Sequence, residues 1–192
     1  MIKFYITEHG LIKEIEAPQT GCWISVVEPT EEEIYALIDD YNLDSGFVKS
    51  SLDEEESSRI EKEDDQTLII IDTPVSSVDN DETLFFYTLP IGIILTEDYV
   101  FTISSKSTRI VSEAMNGSIR NLATQMKTRF VLQLLLRITT LFLFYLKQIE
   151  KTSSMAEQGL HNAMQNKLLM QLLELEKSLV YFSTSLKAND AT

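Results

Sequence analysis

The sequence predicts a mixed α/β domain followed by a pair of long antiparallel helices, and three observations carry that prediction. Up to about residue 105, short β-branched and aromatic runs alternate with turn residues at strand spacing. From residue 121 to 185 there is no proline and a single glycine, Gly159, so the turn punctuation stops. Over the same stretch Leu122, Met126, Phe130, Leu134, Ile138, Phe142, Tyr145 and Ile149 recur every three or four residues, the period of one helix face. Residues 1–117 are therefore expected to form a mixed α/β unit, and residues 118–192 a long helical hairpin.

Residues 2–7 and 11–16 read as two strands joined at His9-Gly10, and 22–27 as a third strand closed by Pro29. Thr30-Glu31-Glu32-Glu33 forms a capping box, because the Thr30 hydroxyl can accept a backbone N–H while Glu33 reaches back. Ile34, Leu37, Ile38 and Tyr41 continue that helix. Residues 45–52 predict a second short helix, ending at the acidic run Asp53-Glu54-Glu55-Glu56. Extended segments follow at 58–62 and 67–75, where the continuous run Leu68-Ile69-Ile70-Ile71 predicts a strand buried on both faces. Asp79-Asn80-Asp81 reads as a turn into 83–89. Residues 91–96 and 99–104 then pair across Glu97-Asp98, with Pro90 marking an edge position or a bulge. A brief helix at 110–115 should stop at Asn116-Gly117. The second long helix is expected from about Ser154, with Leu168, Leu172, Leu175, Leu179, Phe182 and Leu186 as a heptad seam. That seam reads either as packing within one chain or as a surface for other subunits or a continuing helix. The last turns carry no glycine cap, which fits a fraying end or a chain cut from a longer protein.

Charge narrows the partners. The chain has 192 residues and a net charge of −14, which argues against nucleic acid, since duplex binding needs clustered Lys and Arg. Residues 1–100 hold 24 acids and 5 bases, whereas 101–192 hold 6 acids and 11 bases. Cys22 is the only cysteine, so neither a disulfide framework nor a multi-cysteine zinc site is expected. Met1 to Ile6 is followed directly by Thr7, Glu8 and His9, without the apolar core of a signal peptide. The most apolar window, 130–146, contains Gln133, Arg137, Thr139 and Thr140, so no membrane span is expected within the chain.

Catalysis is not expected. His9 and His161 lie far apart and neither sits near a nucleophile motif, while the six glycines are too scattered for a phosphate loop. The acidic runs are different: 53–56, Glu61-Glu63-Asp64-Asp65 and Asp79/Asp81 offer hard oxygen ligands suited to Mg²⁺ or Ca²⁺. No EF-hand spacing is present, and a solvated acidic surface is the simpler reading of each run.

The order of these features resembles the CorA family of magnesium transport proteins. Trp23-Ile24-Ser25-Val26 followed by Pro29-Thr30-Glu31-Glu32-Glu33 is similar to the family's opening, a strand carrying Trp that leads through Pro-Thr and acids into a helix. Residues 52–61 resemble its passage from a short helix into a strand, although Ser57-Ser58-Arg59 lacks the proline of the Arg-Pro-Lys-like segment found there. Residues 172–182 look like the long helix carried before the membrane. The resemblance implies a cytoplasmic α/β domain, a stalk entering two membrane spans, a Gly-Met-Asn pore mouth and a homopentamer. It also implies passage of Mg²⁺ through the pore, with divalent cations between subunits holding the closed state. Gly-Met-Asn is absent here, and Met115-Asn116 comes in another order and context. The chain is accordingly read as the cytoplasmic portion of a membrane transporter. The family's regulatory aspartate falls near Lys49 or Ser50, so the nearest acid, Asp53, is the first metal-ligand candidate, followed by Glu54 and Glu56. Two alternatives stay open, a transporter of zinc or another divalent metal, and a scaffold protein with a helical hairpin for dimerisation.

Overall fold

A computed structural model describes residues 1–78, 83–159 and 165–192. Two antiparallel units make up the sheet. The first is three-stranded and comprises β1 (Ile2–Glu8), β2 (Leu11–Ile15) and β3 (Trp23–Val27), with β1 at its centre; the second is a four-stranded meander of β4 (Arg59–Glu63), β5 (Gln66–Val78), β6 (Leu84–Leu95) and β7 (Val100–Ser104). They join through one parallel ladder between β3 and β7, giving the order β2-β1-β3-β7-β6-β5-β4. The β1–β2 hairpin turns at His9 and Gly10, both at positive φ (51° and 79°), as a two-residue primed turn requires.

Helices cover both faces. On one side, α1 (Glu31–Asp39) starts at the expected capping box, with Thr30 Oγ1 accepting the Glu33 N–H (3.2 Å) and Glu33 accepting the Thr30 N–H (3.0 Å). Beside it α2 (Ser45–Leu52) is capped by Asp44, whose carboxylate accepts the Phe47 N–H at 2.8 Å. Leu37, Phe47 and Val48 pack there against Ile24, Leu68, Ile70, Ile94 and Phe101. On the opposite side lie α3 (Arg109–Met115), α4 (Lys127–Gly159) and α5 (Gln165–Asp190). Trp23 is fully buried there, stacked on Tyr5 (4.9 Å) and tilted against Phe130 (5.4 Å), and its indole N–H donates to Thr102 Oγ1 at 2.9 Å. Because alternate residues serve the two cores, β3, β7 and residues 68–71 of β5 are buried on both faces, as expected for Leu68–Ile71.

Three expectations change. Pro90 does not interrupt its strand, because β6 runs unbroken and Pro90 pairs with Asp72. The expected edge position holds: pairing of β6 with β7 begins only at Gly92, so the proline nitrogen faces a stretch of edge without a strand neighbour among the described residues, where a missing N–H costs nothing. The first long helix begins at Lys127 and continues through Ser154 to Gly159, so no second helix starts at Ser154. With no proline or glycine to stop it before Gly159, the helix runs ten residues, nearly three turns, past Ile149. The seam on α5 is also rotated. Its buried residues are Leu175, Ser178, Phe182 and Ser185, while Leu179 is 45% exposed, because this helix packs on the β5–β6 ribbon as well as on α4. The Asp79-Asn80-Asp81 turn and His161 lie outside the described residues.

Among the described residues α4 alone is long and apolar enough, by length and composition, to cross a membrane. In the fold, its Phe130, Leu134, Ile138, Leu141, Phe142, Tyr145 and Ile149 are core residues packed against the sheet and its neighbours. Arg137 in the middle of that helix makes a two-nitrogen contact with Glu113 of α3 (2.5 and 2.8 Å), and Arg109 joins the same carboxylate at 2.8 Å.

Candidate functional site

The three candidate carboxylates sit on the turn that leaves α2. Its position is set by Gly92, where β6 and α2 approach too closely for a side chain: a Cβ there would lie 1.9 Å from Ser51 Oγ. Asp53 is the C-terminal cap of α2 and then builds the next turn, its Oδ1 accepting the Glu55 N–H (3.0 Å) and its carbonyl accepting the Glu56 N–H (3.3 Å). The carboxylate is exposed and, like that of Glu55, forms no ion pair among the described residues.

The other two candidates are held in place by cations. Glu54 accepts from Lys106 Nζ (2.7 Å) and Ser105 Oγ (3.0 Å), and the lysine bond lowers its pKa below the ordinary glutamate range. Glu56 pairs with Arg59 (2.8 Å), which also contacts Glu61 (3.0 Å) and donates to Ser50 Oγ (3.2 Å). The fold therefore spreads Asp53, Glu54 and Glu56 along a turn instead of converging them. Among the described residues no group of three or more His, Cys, Asp or Glu side chains is arranged to hold a metal ion. Of the three candidates, only Asp53 has a carboxylate without an ion pair among the described residues. That suits an ion that keeps most of its water, as Mg²⁺ does, and does not suit a dedicated cage.

The remaining polar groups divide between scaffold and surface. Asp64 occupies the tight β4–β5 turn at φ 47°. Cys22 is fully buried and burial pushes its thiol pKa up, the opposite of what a reactive thiolate needs. Sequence reasoning missed the basic residues that neutralise the acidic turn. Arg59, three residues after Glu56, was a readable signal; Lys106, 52 residues after Glu54, was not.

Comparison with known proteins gives the chain a family. The model of the CorA-like Mg²⁺ transporter proteins matches residues 18–192. The chain is 27% identical over 176 residues to a cobalt/magnesium transport protein CorA from Methanocaldococcus jannaschii, a match covering 87% of this chain and 52% of that protein. It thus spans about half the length of the curated relative it matches. Its fold superposes on the structure of the soluble domain of CorA from the same organism with a TM-score of 0.81 at 23% identity, covering 100% of this chain and 76% of that one. It superposes on the ZntB cytoplasmic domain from Vibrio parahaemolyticus with a TM-score of 0.68 at 13% identity, covering 98% and 75%. A family match across nearly the whole chain, joined to the same arrangement of sheet and long helices, makes this protein a member of the CorA-like Mg²⁺ transporter family.

Proposed function

We propose that this chain is the cytoplasmic regulatory portion of a CorA-like Mg²⁺ transporter, in which divalent cations between neighbouring copies control a pore formed elsewhere. The observation that carries the reading is the family match over residues 18–192. The charge distribution supports it, with 24 acids against 5 bases in the first hundred residues. Residues 118–192 are assigned to the limb that connects this head to a membrane-spanning part, with Mg²⁺ as the transported ion and a homopentamer as the working assembly.

The regulatory mechanism follows from electrostatics. Acidic surfaces brought together at a subunit contact repel, and a divalent ion between them offsets the repulsion and favours the assembled, closed state. The ion shifts the closed population only by its differential affinity for that state. Asp53 is assigned the first ligand position because its carboxylate is exposed and has no cation of its own among the described residues. Glu54 and Glu56 stand behind it and would have to leave Lys106 and Arg59 to reach an ion.

Millimolar Mg²⁺ is expected to raise the melting temperature of this chain more than NaCl of equal ionic strength, and Asp53→Asn to remove that excess. Equal responses to the two salts defeat the regulatory assignment. The curated relative's name, a cobalt/magnesium transport protein, keeps the reading of another transported metal open. Zn²⁺ and Co²⁺ in the same titration test that alternative.

A further inference from the structure

Helix α5 is attached in an unusual way. Among its described residues only Leu175 and Phe182 are buried apolar side chains, whereas α4 buries Phe130, Val131, Leu134, Ile138, Leu141, Phe142, Tyr145, Ile149 and Ala156. Much of the attachment is made by polar side chains aimed at the β5–β6 ribbon where it projects beyond β4 and β7. Gln171 takes both main-chain groups of Leu84, accepting its N–H (3.1 Å) and donating to its carbonyl (2.7 Å). Asn189 does the same to Asp72 (2.9 and 3.0 Å) and also accepts from Ser58 Oγ (2.7 Å). Each amide thus replaces a missing strand neighbour. Between them Ser178 accepts the Phe86 N–H (2.9 Å), and Ser185 meets the Thr88 hydroxyl (2.7 Å).

Phe182 lies between these two catches. Its ring meets Phe142 edge-on at 5.0 Å and Phe86 at 6.1 Å. On either side of it, the packing between α4 and α5 opens. A groove of about 300 Å³ adjoins Leu146, Ile149, Leu172 and Leu175, and another of about 300 Å³ adjoins Ile71, Leu135, Ile138 and Leu186. The helix is therefore held over its central turns by Leu175, the Phe182 ring and the two serine contacts, adjoins a groove on either side of Phe182, and carries one bidentate amide toward each end. Such hydrogen bonds are weak on balance, because water can replace them.

We propose that α5 is a rocking strap. It pivots on Phe182 as a rigid helix, and the Gln171–Leu84 and Asn189–Asp72 contacts are the catches that fix its angle. The catches lie 18 residues apart, about 27 Å along a helix, so a small change at one end moves the other in the opposite sense.

Pulsed electron resonance between spin-label pairs tests this on the full chain. One pair is Lys151→Cys with Met170→Cys, and the other is Leu136→Cys with Lys187→Cys; all four positions are exposed, and Cys22 is too buried to label. Gln171→Met, which keeps side-chain length but has no amide to bond the Leu84 main chain, is expected to lengthen the first distance and shorten the second. Asn189→Ala is expected to produce the reverse pattern. A change confined to the pair nearest the altered catch means that this end frays alone, and overturns the proposal; so does no change in either pair. Trp23 fluorescence shows whether each variant is folded, and either folded variant decides the question.

Discussion

Gly92→Ala is expected to push α2 off the sheet. The new methyl would sit 1.9 Å from Ser51 Oγ, 2.3 Å from Ser51 Cβ and 3.1 Å from Ser51 Cα. Rotating the hydroxyl would relieve the first contact at the expense of its bond to the Phe47 carbonyl (2.7 Å), but the other two atoms are fixed by the helix itself. Backbone must therefore move between two elements buried on that face, and overpacking of this kind costs about 1–3 kcal/mol. With main chain involved the upper half of that range applies, so for a domain of this size the midpoint should fall by roughly 4–12 °C. Urea unfolding followed by Trp23 fluorescence and by helical circular dichroism gives the free energy. The partner variant Ser51→Gly removes the two nearest atoms, at the cost of about 1 kcal/mol for a glycine in a helix. If the clash is the cause, the double variant recovers at least about 1 kcal/mol relative to additivity. A loss below about 0.5 kcal/mol in Gly92→Ala, or strict additivity in the pair, would refute the close-approach reasoning.

Asp72→Asn should stabilise the protein at neutral pH. Burial raises the Asp72 pKa, with Ser185 hydrogen bonding as the opposing influence, so the folded state disfavours the charge. The penalty is absent below the unfolded carboxylate pKa and grows as pH rises through the folded value. Urea midpoints of variant and parent should therefore converge near pH 3 and separate by pH 7. Glu113→Gln should have the opposite profile. The Arg137 contact, followed by that of Arg109, holds the Glu113 pKa below its usual value, so its contribution is present above the unfolded pKa and lost as pH falls through the folded one. About 1–2 kcal/mol of stability at pH 7 should disappear, given a mostly buried carboxylate with two partly exposed arginines, and the acid-side slope of the urea midpoint should flatten.

Where local chemistry decides the structure, the sequence was readable. Thr30 and Glu33 specify their own helix start, and Asn116-Gly117 specifies a helix stop, with Gly117 at φ 74° and the Ser118 N–H bonded to the Glu113 carbonyl at 2.9 Å. The continuous run Leu68–Ile71 announced a strand covered on both faces. Long-range neighbours decided the remainder. Pro90 reads as a break until one knows that β7 stops pairing two residues away. Leu179 reads as seam and Ser178 as surface until the ribbon turns the buried stripe toward serine. At the acidic turn, adjacency in sequence suggested convergence of charge. Lys106 arrives from another part of the chain and leaves Asp53 as the single unneutralised candidate of the three.

The parallel β3–β7 ladder has a consequence for how this chain comes to be folded. Each antiparallel unit can form from nearby residues, but the seam between them brings Trp23–Val27 against Val100–Ser104. Closing a loop of roughly 70 residues costs about 4 kcal/mol of chain entropy before any contact rewards it. During synthesis the first three-stranded unit must wait for that far strand to leave the ribosome, with one edge of β3 unsatisfied meanwhile. Assembly of the two halves, a high-contact-order event, is thus the slow step that sets how long this apolar edge stays open to other chains.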